Sequence, residues 1–322
     1  MVSTHKLVIV GVGHVGSYVL ADAMKLNLFG EIVTIDCDQT VAHGEALDQH
    51  QATGLHTIAS ASVRSGGYED CADADVIICA AGPSMLVDPE HPDAKPDRAA
   101  LAPHNAQVIH EVMAGITAHT REAVIILITN PLDTMVYIAE NEFGYPAGKI
   151  FGTGTMLDSA RLRRIVADRV GVSPTSVTGY MMGEHGMSAF PVLSHLSVAG
   201  IPTAELPAQF GVTLDPAELA QAVVDAAYDV FRSKGWTNAG VAQSAVAMAR
   251  AVLLDEKAIY PACTTLRGEY GHSGDVALSL PTVIGAGGAE RRIPVSLNAW
   301  EALALERSVA AIQQAMGSTG LH

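Results

Sequence analysis

The chain has 322 residues, 49% of them hydrophobic and 16% charged, an apolar share too high for a disordered chain and sufficient to bury the core of one large α/β unit or two domains. Nineteen Lys and Arg against 34 Asp and Glu leave a formal charge of −15, which argues against nucleic acid or an anionic membrane as partner but not against a small anion held by a few arginines. Four cysteines without C-x-x-C spacing, no secretory pattern at the N-terminus and no run near the roughly 18 apolar residues of a membrane span read as a soluble, cytoplasmic protein in a reducing compartment, with Cys37 and Cys79 as buried thiols.

In chain order, the first apolar run, Leu7–Val10, leads into LVIVGVGHVG (7–16). Gly11, Gly13 and Gly16 form G-x-G-x-x-G between that strand and a helix over Gly16–Leu28. Gly11 permits the tight turn, Gly13 lets the backbone approach a pyrophosphate, Gly16 lets helix and strand pack closely, and the helix N-terminus offers free N–H groups to phosphate. His14, inside this turn, reads as a solvent-facing filler. The next run, Ile32–Ile35, ends at Asp36, twenty residues after Gly16. A carboxylate there accepts a ribose 2′-hydroxyl and repels a 2′-phosphate, which favours NAD over NADP.

Further strong runs follow at Val76–Ala80 and Val124–Ile128, with weaker ones at Ala61–Arg64 and Lys149–Phe151 and a helical pattern over Asn105–His119. Short runs rich in Val and Ile suit parallel strands covered on both faces, and their alternation with helices implies right-handed βαβ units in a doubly wound α/β sheet. Residues 82–103 break the rhythm with Pro83, Pro89, Pro92, Pro96 and Pro103; a loop of that length inside a compact domain is usually functional, often a lid. At Gly152–Thr155 the strand pattern gives way to an Arg-rich helix, Leu157–Arg169, which places the domain boundary between 1–151 and 152–322.

The second half is mixed α+β. Met181–Glu184, Pro191–Val198 and Val276–Ile284 read as strands. Asp215 as N-cap, Pro216 at the first helical position and Glu218 at the third open a helix that Gly235 stops. A new helical pattern begins near Thr237, and the amphipathic segment Leu297–Met316 ends the chain.

Four places carry candidate chemistry. Asp158 and Arg161, three residues apart, share a helix face. His185 stands between glycines in GEHG (183–186) at the end of a strand pattern, Arg98 closes the proline-rich loop, and Asn130-Pro131 follows the strand VIILIT. This set suits hydride transfer at a carbinol carbon. The oxygen that gains charge as hydride reaches a ketone needs a proton, which a histidine supplies near neutral pH for about 10²–10⁴ in rate. A carboxylate orients that histidine and favours its charged form; one arginine polarises the carbonyl; another clamps a substrate carboxylate through two parallel hydrogen bonds. Each residue also has a plain structural reading. Asp158–Arg161 alone is a helix ion pair worth under about 1 kcal/mol, His185 a structural histidine, Arg98 a solvated charge, and Asn130-Pro131 a turn. No H-E-x-x-H or C-x-x-C spacing points to a metal, and no G-x-S-x-G to a serine nucleophile.

Taken jointly, GVGHVG, Asp36, ITNPLD (128–133), GTGTMLDSARLRR (152–164), GEHG, KGWTNAGVA (234–242) and DVALSLPTVIG (275–285) resemble the L-lactate/L-malate dehydrogenase family, over essentially the whole chain. The resemblance implies a Rossmann NAD-binding domain of strand order 3-2-1-4-5-6, a mixed α+β substrate domain, a homotetramer or homodimer, and a small 2-oxo/2-hydroxy acid of L configuration as substrate. It makes His185 the proton donor and acceptor, Asp158 its partner, Arg161 the holder of the substrate carboxylate and Arg98 the mobile-loop residue that polarises the carbonyl. Asn130 would lie beside the substrate oxygen and the nicotinamide, and Thr237 would line the pocket. Gly11, Gly13, Val15, Gly16, Asp36, Gly82, Thr129 and Asn130 would contact NAD.

Two departures refine this expectation. The loop position that selects the substrate side chain, Gln in lactate enzymes and Arg in malate enzymes of the family, is here Met85 or Leu86. Burying a second carboxylate against them would cost several kcal/mol, so malate activity is expected to be weak. The long segment from Met85 to Arg98 resembles that of L-2-hydroxyisocaproate dehydrogenases and implies a roomy apolar pocket for branched or aromatic 2-oxo acids. L-lactate dehydrogenase proper is the alternative; malate dehydrogenase and a non-catalytic NAD-binding relative are less favoured. At the family's fructose 1,6-bisphosphate site Arg163 is in place but Thr178 stands where a histidine is expected, which implies little or no activation by that ligand.

Overall fold

The computed structural model describes residues 4–55, 60–83 and 98–320, with side chains from residue 101 onward in the last stretch. The first half runs β1 (His5–Val10), α1 (Gly16–Lys25), β2 (Phe29–Ile35), α2 (Gln39–Ala52), β3 (Ser62–Ser65), β4 (Val76–Cys79), α3 (Arg98–Thr117), β5 (Val124–Leu127), α4 (Leu132–Glu142) and β6 (Ile150–Gly152). Its strands pair in parallel in the order β3-β2-β1-β4-β5-β6, a Rossmann-type sheet. Side chains alternate between the faces of a strand, and here both faces are covered. Leu7, Ile9, Ile32 and Ile78 share one buried cluster with Val19 and Leu20 of α1; Val8, Val33, Ile77 and Ile125 share the other with Ile109 and Met113 of α3 and Met135 of α4. That double cover is why the runs are apolar throughout rather than at every second residue.

The second half is mixed α+β. After α5 (Met156–Val170) come short strands β7 (Val177–Thr178), β8 (Met181–Met182), β9 (Phe190–Pro191), β10 (Ser197–Val198) and β11 (Ile201–Pro202), then α6 (Leu206–Phe210), α7 (Pro216–Lys234) and α8 (Ala239–Leu253). The chain closes with β12 (Ala258–Arg267), β13 (Ser273–Gly285), β14 (Gly288–Arg292) and α9 (Ala299–Ser318). These three last strands pair antiparallel and join the parallel sheet where Cys263 of β12 meets Gly152 of β6, giving nine strands in one sheet. Helix α8 returns to the first half and buries Ala245, Met248 and Ala249 in the cluster that also holds α1. Among the described residues no helix is long and apolar enough to cross a membrane.

Several expectations shift. Helix α3 begins at Arg98, not near Asn105, and carries Pro103 inside it. Pro103 lies just past the first turn, where its missing N–H forfeits a single backbone bond, and the flanking Ala99, Ala100 and Ala102 are strong helix formers. Arg98 therefore belongs to α3. Cys37 is exposed, because β2 ends at Ile35 and the chain turns away at once into α2, whose N-cap Asp38 accepts the Thr40 and Val41 N–H groups. The stretch Pro191–Val198 is not one strand: a single turn of 3₁₀ helix, Leu193–His195, separates β9 from β10.

The connections after β1, β4 and β5 all end at one crevice, where the sheet order reverses between β1 and β4. Open α/β sheets bind ligands at such a switch point. Val15, Ala80, Gly82 and Thr129 line the crevice from the sheet side; α5, the GEHG turn and the α7–α8 connection close it from the other.

Candidate active site

The coenzyme end is built from positions where a side chain cannot fit. Gly11 has φ +85°, and a Cβ on it would come 2.6 Å from the Ala81 backbone; a Cβ on Gly16 would lie 1.8 Å from the Gly11 carbonyl oxygen. Gly13 differs: nothing lies within 4 Å of where its Cβ would be, so the turn is open on the side from which a pyrophosphate reaches the backbone. Asp36 is tied to this turn. Its Oδ2 accepts the Val12 N–H at 2.8 Å and its Oδ1 accepts the Asp38 N–H at 3.0 Å, and carboxylate oxygens keep acceptor capacity beyond one bond each. Tight packing, an open Gly13 and a carboxylate fixed beside the turn fit NAD.

His14 is solvent-exposed, as expected, but does more than fill the turn. Its ring stacks on Trp236 with centroids 3.9 Å apart and planes inclined by 5°, a direct contact between the coenzyme turn and the α7–α8 connection that also carries Thr237.

Beyond β4 and β5, Thr129 Oγ1 donates to the Ala81 carbonyl at 2.6 Å. The buried Asn105 of α3 donates through Nδ2 to the carbonyls of Asn130, at 2.6 Å, and Pro83, at 3.1 Å. The Asn130-Pro131 peptide is cis. Asn130 lines the crevice, and its buried Oδ1 makes no hydrogen bond among the described residues. Asn105 went unnoticed in the sequence, although a polar residue in register with Leu101, Ala102 and Ile109 on an apolar helix face is the signal that marks it.

At the far wall, His185 Nδ1 lies 2.7 Å from Asp158 Oδ2, and Asp158 Oδ1 accepts from Arg161 Nη1 at 2.9 Å. Burial would raise the Asp158 carboxyl, but the imidazole and guanidinium outweigh it and hold the group below the ordinary carboxylate value. The turn that carries His185 is fixed from three elements. Gly183 exchanges two backbone hydrogen bonds with Ser279 of β13, each 3.0 Å, the Glu184 N–H donates to Ser308 Oγ of α9 at 3.2 Å, and the His185 N–H donates to Asp133 Oδ2 of α4 at 2.8 Å. A Cβ on Gly183, at φ +89°, would meet Ser308 Oγ at 2.3 Å.

The crevice thus gathers His185, Asp158, Arg161, Asn130 and Thr237 with Val15, Gly82 and Thr129. Val223, Val224, Ala227 and Phe231 of α7 add an apolar wall. Met85 and Leu86 lie outside the described residues, as does the side chain of Arg98, whose backbone starts α3. At the expected sugar-phosphate position, Thr178 is bonded through Oγ1 to Ser197 Oγ at 3.2 Å, and burial lowers the pKa of the Arg163 guanidinium.

An imidazole backed by a buried carboxylate, an arginine beside it and a dinucleotide turn facing them define an oxidoreductase site. Family models agree over both halves: residues 5–152 match the lactate/malate dehydrogenase NAD binding domain and residues 155–319 the lactate/malate dehydrogenase alpha/beta C-terminal domain. The chain belongs to the lactate/malate dehydrogenase family, whose members are NAD-dependent dehydrogenases. It is 42% identical over 306 residues to L-lactate dehydrogenase 2 of Clostridium acetobutylicum, covering 94% of each chain. To the L-lactate dehydrogenase of Selenomonas ruminantium it is 39% identical over 323 residues, covering 100% of each. Its fold is similar to the crystal structure of the minor L-lactate dehydrogenase from Enterococcus mundtii in the ligands-bound form, with a TM-score of 0.91 at 31% identity and full coverage of both chains.

Proposed function

We propose that the protein interconverts a 2-oxo acid and its L-2-hydroxy acid with NAD, and that pyruvate and L-lactate are its principal pair. The observation that carries this reading is the His185–Asp158–Arg161 constellation on the crevice that the coenzyme turn opens into. NADH, when bound, supplies the hydride that reduces the ketone carbon. His185, with Nδ1 engaged by Asp158, gives a proton from Nε2 to the carbonyl oxygen, and the Asp158 carboxylate stabilises the imidazolium before transfer. The Arg161 guanidinium, anchored to Asp158 by one N–H, keeps others for the substrate carboxylate. Arg98 polarises the carbonyl, Asn130 and Thr237 border the substrate, and Met85 or Leu86 faces its side chain. Gly11, Gly13, Val15, Gly16, Asp36, Gly82, Thr129 and Asn130 hold the coenzyme. The reading takes 1–151 as the coenzyme domain and 152–322 as the substrate domain of a cytoplasmic homotetramer or homodimer.

The names of the relatives support L-lactate as product. Arg161 is the one arginine among the described lining residues, so oxaloacetate would bury its second carboxylate without a partner there. A second reading, favoured by the apolar wall on α7, is that larger branched or aromatic 2-oxo acids are preferred. A kcat/KM series with NADH decides: the first reading expects pyruvate above 2-oxoisocaproate, phenylpyruvate and oxaloacetate, oxidation of L- but not D-lactate, and a KM unmoved by fructose 1,6-bisphosphate. Preference for 2-oxoisocaproate or phenylpyruvate would establish the second, and preference for oxaloacetate would overturn both.

A further inference from the structure

One buried carboxylate near the site has no part in the chemistry above. Asp133, in the first turn of α4, is 3% exposed. Its Oδ2 takes the backbone N–H of His185 at 2.8 Å. Its Oδ1, also buried, meets no N–H or O–H donor among the described residues, and the Cys263 thiol of β12 is a weak donor to the carboxyl. A carboxylate that receives one N–H and one weak thiol donor is a costly way to hold that N–H, because the charge must be desolvated and a neutral acceptor would serve as well. Two features favour keeping the charge: the positive end of the α4 dipole and the imidazole of His185.

We infer that Asp133 is a positioning residue for proton exchange: it fixes the backbone of His185 and places a second negative charge, after Asp158, within electrostatic reach of the imidazole. The inference rests on the role of His185 proposed above. The groups facing the pair are Asp158 and Arg161 from α5, Glu184 from the GEHG turn and Cys263 from β12. Burial pushes the Asp133 carboxyl up to about 7, against the pull of the Cys263 thiol and His185. Its charge is therefore sensitive to pH near neutrality. Each ionised form favours the other: an imidazolium draws the proton off Asp133, and an ionised Asp133 raises the affinity of the imidazole for its proton.

The test is the pH dependence of kcat/KM in both directions, with pyruvate and NADH and with L-lactate and NAD. Asp133→Asn keeps an oxygen for the His185 N–H and removes the charge. Losing that charge lowers the imidazole pKa, so the alkaline limb of reduction and the acid limb of oxidation both move down by about half a unit to one unit. Cys263→Ser offers Oδ1 a stronger donor, keeps the carboxylate ionised and moves both limbs up. Asp133→Ala also loses the backbone hold, and kcat falls further than KM rises. A residue that only braces the fold would scale both profiles and leave the limbs in place. Asp133→Asn leaving the limbs at their wild-type pH overturns the inference; should that variant not fold, unmoved limbs in Cys263→Ser do so. Either result is distinct from failure of the proposed function, which appears as activity surviving in His185→Ala.

Discussion

The two ends of the crevice are made by opposite means. At the coenzyme turn the active element is backbone, and the requirement is absence: Gly11 and Gly16 are packed so closely that a methyl group would strike main chain. At the corner where we propose proton exchange the active elements are side chains: the buried Asp158 joins the part-buried Arg161 and His185. Steric change should therefore damage the first end and spare the second, while charge change should do the reverse.

The sharpest way to break that contrast is a pair of variants. His185→Ala should lower kcat by about 10²–10⁴, the range for a lost general acid, while NADH affinity measured by protein fluorescence stays near wild type. Gly16→Ala should weaken NADH binding by about tenfold or more, since relieving a clash with main chain costs about 1–3 kcal/mol, with the pH limbs of the residual activity unmoved. A Gly16→Ala enzyme that binds NADH normally, or a His185→Ala enzyme that cannot bind it, would erase the distinction.

Arg161→Lys sharpens the contrast within the charged end. It conserves charge but loses the planar fork, so the substrate carboxylate and Asp158 can no longer be held together by one group. The KM for pyruvate should rise by about 10- to 100-fold, on the scale of one charged hydrogen bond. Steady-state kinetics at saturating NADH check this, and an unchanged KM would place the substrate carboxylate elsewhere.

The same contrast explains what could be read in the sequence. Gly11, Gly13 and Gly16 are required by local backbone geometry, which a contiguous motif records, Asp36 is marked by its place at the end of the β2 run, and apolar runs such as Val76–Cys79 announce strands covered on both faces. The residues proposed for proton exchange come from separate elements, α5 and the GEHG turn, and no spacing rule connects them; joint resemblance to a family did. The partners of Asp133 and Asn105, the His185 N–H and the Asn130 carbonyl, are 52 and 25 positions away, so the sequence does not show what either residue holds, although the apolar helix face around Asn105 marks it as unusual. β12 was missed as well. Its Pro261 argues against a strand, and its pairing along the antiparallel β13 depends on tertiary placement rather than on local propensity.

The smallest expected effect concerns an aromatic contact that links the two ends. The His14–Trp236 stack spans the coenzyme turn and the connection that bears Thr237, and aromatic pairs of this kind contribute about 0.5–1.5 kcal/mol beyond burial. If the stack only fills space, His14→Ala changes nothing beyond the local surface. If it carries order from one end to the other, His14→Ala raises the KM for pyruvate by about two- to tenfold, with kcat and NADH affinity nearly intact, and Trp236→Phe behaves more mildly because a ring remains. The second tryptophan, Trp300, packs away from the turn against Phe190 and Arg307, so a fluorescence change on adding NADH reports on Trp236. That change should shrink in His14→Ala. An unaltered signal together with an unaltered KM would mean that backbone shape and buried charge operate independently in this protein, joined only by the molecules that bind between them.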